Sequence, residues 1–191
     1  MFIIFQLHLL AQGAFISIGN GISNFSSNYE NRYTSNYNFT LKAGYEKNIS
    51  GVGIRATIGY FNISSKIVEN KKNLNISFIK ISSGISYEFT SSWALLAQMN
   101  IGKTTKQSIR ISSPRYNYDF DPVDISYSFE IAKNINFNNC KNLSLGLEFS
   151  KSINGIIDNN FWQKDNLIPY FLNVNIYYLF QKKLKLDTTV H

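Results

Sequence analysis

Apolar and polar residues alternate one for one in eight separate stretches of this chain, and no other feature limits its fold as strongly. The clearest are Phe39-Thr40-Leu41-Lys42-Ala43-Gly44-Tyr45-Glu46, Ile125-Ser126-Tyr127-Ser128-Phe129-Glu130-Ile131 and Leu143-Ser144-Leu145-Gly146-Leu147-Glu148-Phe149. Successive side chains of a strand point to opposite faces, so each stretch is a ribbon with one greasy side and one polar side. A tilted strand of roughly ten residues crosses a hydrocarbon core. Eight such ribbons predict an all-β fold: an up-and-down antiparallel transmembrane β-barrel of eight strands.

Composition agrees. Charged residues make up 16% of the 191 residues, against roughly 25% in a typical soluble domain. No window approaches the ~18 consecutive apolar residues of a membrane helix, which excludes an α-helical membrane protein. Strands are expected over 14–24, 37–48, 52–63, 74–89, 93–103, 123–133, 143–150 and 168–180. Short links (Asn48–Gly51, Thr90–Ser92, Asn134–Asn142) then alternate with long ones (Phe25–Asn36, Ser64–Asn73, Thr104–Pro122, Lys151–Leu167). Short periplasmic turns and longer extracellular loops are the habit of outer-membrane barrels. Residues 1–12 read as a shortened export signal without its positive start, or as a short helix or extra strand. Residues 13–180 form the barrel and 181–191 a short tail.

A soluble lipocalin-like barrel would also alternate, with the grease inside. Three features favour lipid outside: the polar face is rich in Gly and Ser (Ser17, Gly19, Gly44, Gly59, Ser82, Gly146), its charges are few and of both signs, and the start of the chain points to export. Aromatics gather at the short-turn ends (Tyr45, Tyr87, Phe89, Trp93, Tyr178, Phe180), where rings suit the membrane–water interface.

The inward charges are Lys42, Glu46, Arg55, Lys80, Glu88, Asp124, Glu130 and Glu148. The four-residue link Asn48–Gly51 would set Arg55 opposite Gly44, between Lys42 and Glu46, with Glu46 accepting from the guanidinium. Ions in a narrow lumen must pair. They form either a structural plug or a gate whose pairs swap partners, and the sequence leaves both open.

Catalysis has little to build on. The histidines are His8, in the export segment, and His191, at the end of the sequence. Histidine-dependent catalysis and a histidine metal site are therefore excluded. Asp119 and Asp121 read as a polar loop tip. The single Cys140 allows no disulfide or Cys-based metal site within one chain. No nucleotide or phosphate motif occurs. No enzyme activity and no cofactor are expected.

The formal charge of +7 resides largely in the long loops (Lys66, Lys71, Lys72, Lys106, Arg110, Arg115, Lys151, Lys164) and the tail. Nucleic acid does not suit an exported barrel. Lipopolysaccharide phosphates do, though plain solvated loops read equally well. Loop aromatics Tyr116, Tyr118, Phe120, Phe161 and Trp162 could form a contact patch or pack the loops on one another.

These features resemble the small eight-stranded outer-membrane barrels, the OmpA/OmpX-like and opacity-like group. Leu9-Leu10-Ala11-Gln12 and the Asn/Lys/Ile-rich style are similar to Bacteroidota barrels, including PorT-like outer-membrane β-barrel domains. Val174-Asn175-Ile176-Tyr177-Tyr178-Leu179-Phe180 resembles the C-terminal signal read by the barrel-assembly machinery, although Gln181–His191 follow it here. The resemblance implies a monomer in the outer membrane of a Gram-negative-type bacterium, among lipid and lipopolysaccharide. It implies a structural or surface role in envelope integrity, adhesion or recognition. The rivals are a narrow channel or an accessory barrel of a secretion system, and a soluble ligand-binding barrel.

Overall fold

The computed structural model describes residues 13–27, 33–49, 51–69, 71, 73–90, 92–109, 123–137, 140–158 and 165–181. Within them run β1 (Gly13–Ser26), β2 (Tyr33–Ile49), β3 (Val52–Ile67), β4 (Asn73–Glu88), β5 (Trp93–Ile109), β6 (Val123–Phe137), β7 (Cys140–Ser152), β8 (Ile156–Asp158) and β9 (Asp165–Gln181). All pairings are antiparallel between neighbours, and β9 closes back on β1, giving eight long strands in a closed barrel. Closure removes the exposed edges that an open sheet would present. Short β8 pairs with β9 just beyond the last β7 partner, so it continues the line of β7 after a bend. At that bend Gly155 has φ +67° and donates its N–H to Ser152 Oγ at 3.1 Å. Asn154 there caps β6, accepting from Ile125 N at 2.8 Å and donating to Val123 O at 2.9 Å.

The registers fix the shape. Followed round the wall from Glu46 through Arg55, Gly84, Gln98, Ser128, Ser150, Phe171 and Ser23, they return to β2 at Asn36, ten residues before the starting point. At ~3.3 Å per residue and ~4.8 Å between strands, that stagger tilts the strands by about 40° and gives a wall radius of about 8 Å. A tube so narrow is filled by its own side chains.

The faces sort as the alternation requires. Ile16, Ile18, Leu41, Ile54, Ile81, Phe129, Leu147 and Val174 point outward and are exposed, whereas Ser17, Ser82, Ser126, Ser128 and Ser144 are buried inside. On β5 the outward run from Trp93 to Lys103 passes Leu95, Ala97, Met99 and Ile101, and it climbs about 25 Å along the axis at this tilt. That is the height of a lipid-facing belt.

Above the belt the polarity turns inside out. On β3 the apolar positions switch from even to odd between Tyr60 and Phe61, and on β4 they switch from even to odd between Phe78 and Ile79. Phe61 and Phe78 are register partners, so the switch happens at one level in both strands. Higher up, Asn62, Lys66, Asn73 and Asn75 face outward, while Ile63, Ile67, Leu74 and Ile76 are buried within. There the β3–β4 wall has the polarity of a water-soluble protein and stands roughly 10 Å beyond the belt.

The strands run longer than the sequence predicts, mostly at the long-loop end: β2 begins at Tyr33, β3 ends at Ile67, β5 at Ile109 and β9 begins at Asp165. Two of the short links are also tighter than expected. Ile49 pairs with Val52 across a two-residue turn in which Gly51 takes φ +86°, a conformation cheap only for glycine. Cys140 opens β7, paired with Phe137, and does not sit in a turn. Residues 1–12 and 182–191, Asp119 and Asp121, both histidines and the loop aromatics lie outside the described residues.

Candidate functional site in the barrel lumen

All eight predicted charges face the lumen, on β2, β3, β4, β6 and β7. Their partners lie mostly across the tube. Nearest the short turns, Arg55 donates from Nε and Nη2 to Glu46 Oε2 at 3.0 and 2.7 Å, and Ser86 donates to Glu46 Oε1 at 2.5 Å. Arg55 lies directly opposite Glu46, not opposite Gly44 as the four-residue link implied, because the tighter turn moves the register by two. Gly44 serves the Phe15 ring: a Cβ there would stand 2.7 Å from Phe15 Cζ. The guanidinium is held between two rings, 4.8 Å from the centroid of Phe15 and 5.2 Å from that of Tyr177.

One layer up, Lys42 Nζ donates to Glu148 Oε2 at 2.5 Å, and Asn175 Nδ2 donates to the same oxygen at 2.8 Å. Asn175 also reaches Tyr177 Oη at 3.3 Å, and Tyr177 donates to Glu130 Oε2 at 2.5 Å. Glu130 and Glu148 are direct cross-strand partners, an arrangement that costs energy for like charges. Lys42 and Asn175 hold Glu148, but Glu130 has only the tyrosine hydroxyl, and its Oε1 has no hydrogen-bond partner. Gly146 makes the room for it; a Cβ there would come 1.7 Å from Glu130 Oε1.

Higher still, Lys80 donates to Asp124 Oδ2 at 2.5 Å and to Ser126 Oγ at 3.0 Å. The Phe61 ring lies between the two ammonium groups, 5.5 Å from Lys42 Nζ and 5.3 Å from Lys80 Nζ. Above it Phe25, Tyr33, Phe61, Ile63, Ile67, Leu74, Ile76, Phe78, Leu167 and Phe171 form one buried cluster. The lumen filling therefore has two storeys: ion pairs from the short-turn mouth to mid-height, then an apolar stopper. An ion crossing the second storey would exchange much of its water for apolar side chains, a costly step.

Sequence reasoning missed the stopper, along with Phe15, Tyr177 and Asn175. The signal for the stopper was present in the phase switches at Tyr60–Phe61 and Phe78–Ile79. Of the predicted interface aromatics, Tyr45, Tyr87, Phe89, Tyr178 and Phe180 are exposed on the outer face at the short-turn end, and Trp93 is half-buried beside them. No helix is long and apolar enough to cross a membrane, which says nothing of strands. Among the described residues no group of three or more His, Cys, Asp or Glu could hold a metal.

No protein-family model matches the chain, and no curated protein does either. Solved structures do. The Neisserial surface protein A structure superposes with a TM-score of 0.54 at 13% identity, covering 88% of this chain and 97% of that one. The outer membrane protein AlkL in lipid bilayers gives 0.51 at 10% identity, covering 98% of this chain and all, 100%, of that one. The outer membrane protein OprG from Pseudomonas aeruginosa gives 0.50 at 11% identity, covering 89% and 97%. Nothing among these likenesses supports the PorT-like part of the resemblance. Strand topology and likenesses agree on the fold: the chain is a small closed eight-stranded antiparallel β-barrel, the fold of these outer-membrane proteins.

Proposed function

We propose that this barrel is a closed, non-enzymatic outer-membrane protein that acts through its extracellular end, in surface interaction or envelope integrity. The observation that carries the reading is the two-storey filling of the lumen, with three ion pairs below and a ten-residue apolar cluster above. A conducting pore needs a continuous polar path, and the stopper interrupts it. The rigid rim above the belt supports the same reading, since it lifts the loops clear of the bilayer surface. The Neisserial relative is named a surface protein, which favours a role of the same kind here.

Lipopolysaccharide is the partner that suits the rim. Lys103 and Lys66 are exposed on the outer face at and above the top of the belt, and half-buried Lys151 stands at the same edge on β7. Ammonium groups at that height meet lipid phosphates. We take residues 1–12 as an export signal and the chain as a monomer.

Planar-bilayer recording tests the central claim. The purified barrel, shown folded by heat-modifiable gel migration, stays electrically silent on this reading. Discrete conductance steps in the unmodified protein would favour the rival reading, a narrow channel or accessory transport barrel.

A further inference from the structure

One part of the outer wall is hollowed. Ile85, Ala97, Phe129, Phe149 and Leu172 are register partners in one row across β4, β5, β6, β7 and β9. Tyr87, Leu95, Ile131 and Leu147 form the next row towards the short turns. All of these side chains are on the exposed outer face, and Ala97 is much the smallest. Around it lies a groove of about 560 Å³, apolar almost throughout, with inward-pointing Leu96 and Glu130 at its floor. From Tyr87 to Leu172 the groove climbs roughly 15 Å at the strand tilt. That is about half of a ~30 Å hydrocarbon core, so the groove serves one leaflet, the one on the short-turn side.

A charge stands at the foot of this groove. Lys133, two residues beyond Ile131 on the same face of β6, is exposed. It pairs in register with Trp93 on β5, and its Nζ lies 5.2 Å from the centroid of the Trp93 ring. Among the described residues no carboxylate pairs with it. The ring and the lysine stem fix an ammonium at the level where rings meet the membrane–water interface, with its charge uncompensated.

A tail-length apolar groove below a lone ammonium matches one class of molecule: a lipid with an anionic head. A second copy of the chain fits less well. Copies inserted the same way would meet about a two-fold axis along the membrane normal, and each would bring its own Lys133 to the same level as the other's. Like charges set together there cost energy, whereas a lipid phosphate satisfies the ammonium. We propose that the groove over Ala97 seats one acyl chain of an anionic glycerophospholipid, whose phosphate rests on Lys133 beside Trp93. The inference rests on the outer-membrane reading, which makes the short-turn leaflet the periplasmic one. It places a second lipid contact at the opposite end of the belt from the lipopolysaccharide phosphates.

Quenching of Trp93 emission by lipids brominated near the ester end of their acyl chains tests this. The full chain carries Trp162→Phe, so that one tryptophan reports. It is folded into vesicles containing brominated phosphatidylglycerol or brominated phosphatidylcholine, with folding checked by gel migration and insertion by flotation. The expected result is a preference of roughly fivefold for phosphatidylglycerol, the worth of one lysine near a lipid phosphate. Lys133→Gln abolishes the preference, and Ala97→Phe, which fills the groove, reduces it. Lys47→Gln, an exposed lysine at the same end on β2, four strands away, keeps it. Lys133→Gln is a surface change, so the test stays decisive even where Ala97→Phe folds poorly. Equal quenching by the two lipids, or an undiminished preference in Lys133→Gln, would overturn the proposal. So would a folded, vesicle-bound barrel that neither lipid quenches, which would give the groove to a second copy. A chain that folds in plain buffer and does not float with vesicles would sink the membrane reading itself, and this site with it.

Discussion

Removing Lys42 tests how the lower storey is held together. Its ammonium is buried and bonded to Glu148 at 2.5 Å, with side chains 3% and 2% exposed. Lys42→Met keeps most of the volume but strands Glu148, whose cross-strand neighbour is another carboxylate, Glu130. Breaking one side of a buried pair costs on the order of 3–5 kcal/mol, whereas replacing both sides with apolar groups is often neutral. The like charge across the strand pair pushes the single variant towards the upper end of that range. Asn175, which also donates to Glu148 at 2.8 Å, remains and holds the cost down somewhat. Lys42→Met is therefore expected to lose about 3–5 kcal/mol, Glu148→Leu to lose less, and the double variant to recover most of the loss, giving a coupling of at least about 2 kcal/mol. Equilibrium urea unfolding in lipid vesicles, read by tryptophan emission and by gel migration, supplies the values. A loss below about 1 kcal/mol in Lys42→Met, or a double variant that costs the plain sum, would refute it and mean that water reaches this pair freely.

Other expectations follow from the same geometry. Arg55→Ala alone leaves planar bilayers silent, because the stopper above still closes the lumen; conductance from Arg55→Ala alone would show that the ion pairs were the only barrier. Phe78→Ala, which empties a fully buried position in the stopper, costs about 3–5 kcal/mol in the same urea assay. Leu147→Arg, mid-belt on the outer face, costs about 2–4 kcal/mol in vesicles, and the effect should fade for a substitution at Lys103. In a Cys140→Ser background, cysteine at Leu145 is shielded by detergent and cysteine at Ser144 by the protein. Free reaction of the Ser144 cysteine with bulk reagents would turn the barrel inside out.

How far the sequence could be read depended on who the neighbours are. The number of strands and their two faces in the belt were legible because alternation is a local property: Phe39 to Glu46 needs no distant partner to declare two faces. The upper ends were not, because there the same period continues with the opposite phase. Ile63, Ile67, Leu74 and Ile76 then read as the fading of a pattern and not as its inversion. Which charges face inward followed from parity alone, but who meets whom did not. Lys42 and Glu148 are 106 residues apart and Lys80 and Asp124 are 44 apart, and they meet only because the closed, staggered wall brings their strands across from each other. The local pair, Glu46 with Arg55, was identified, but its placement slipped by two residues because the turn at Gly51 is tighter than the link assumed for it.

The inversion of polarity at Phe61 and Phe78 also gives the molecule a waterline. A barrel whose outer wall stayed greasy to the top could ride higher or lower to match its surroundings. This one cannot sink, since Asn62, Lys66, Asn73 and Asn75 would be drawn into hydrocarbon. Placed in lipids with longer tails, it should therefore pull the bilayer thinner around itself and settle preferentially in the thinnest patches available.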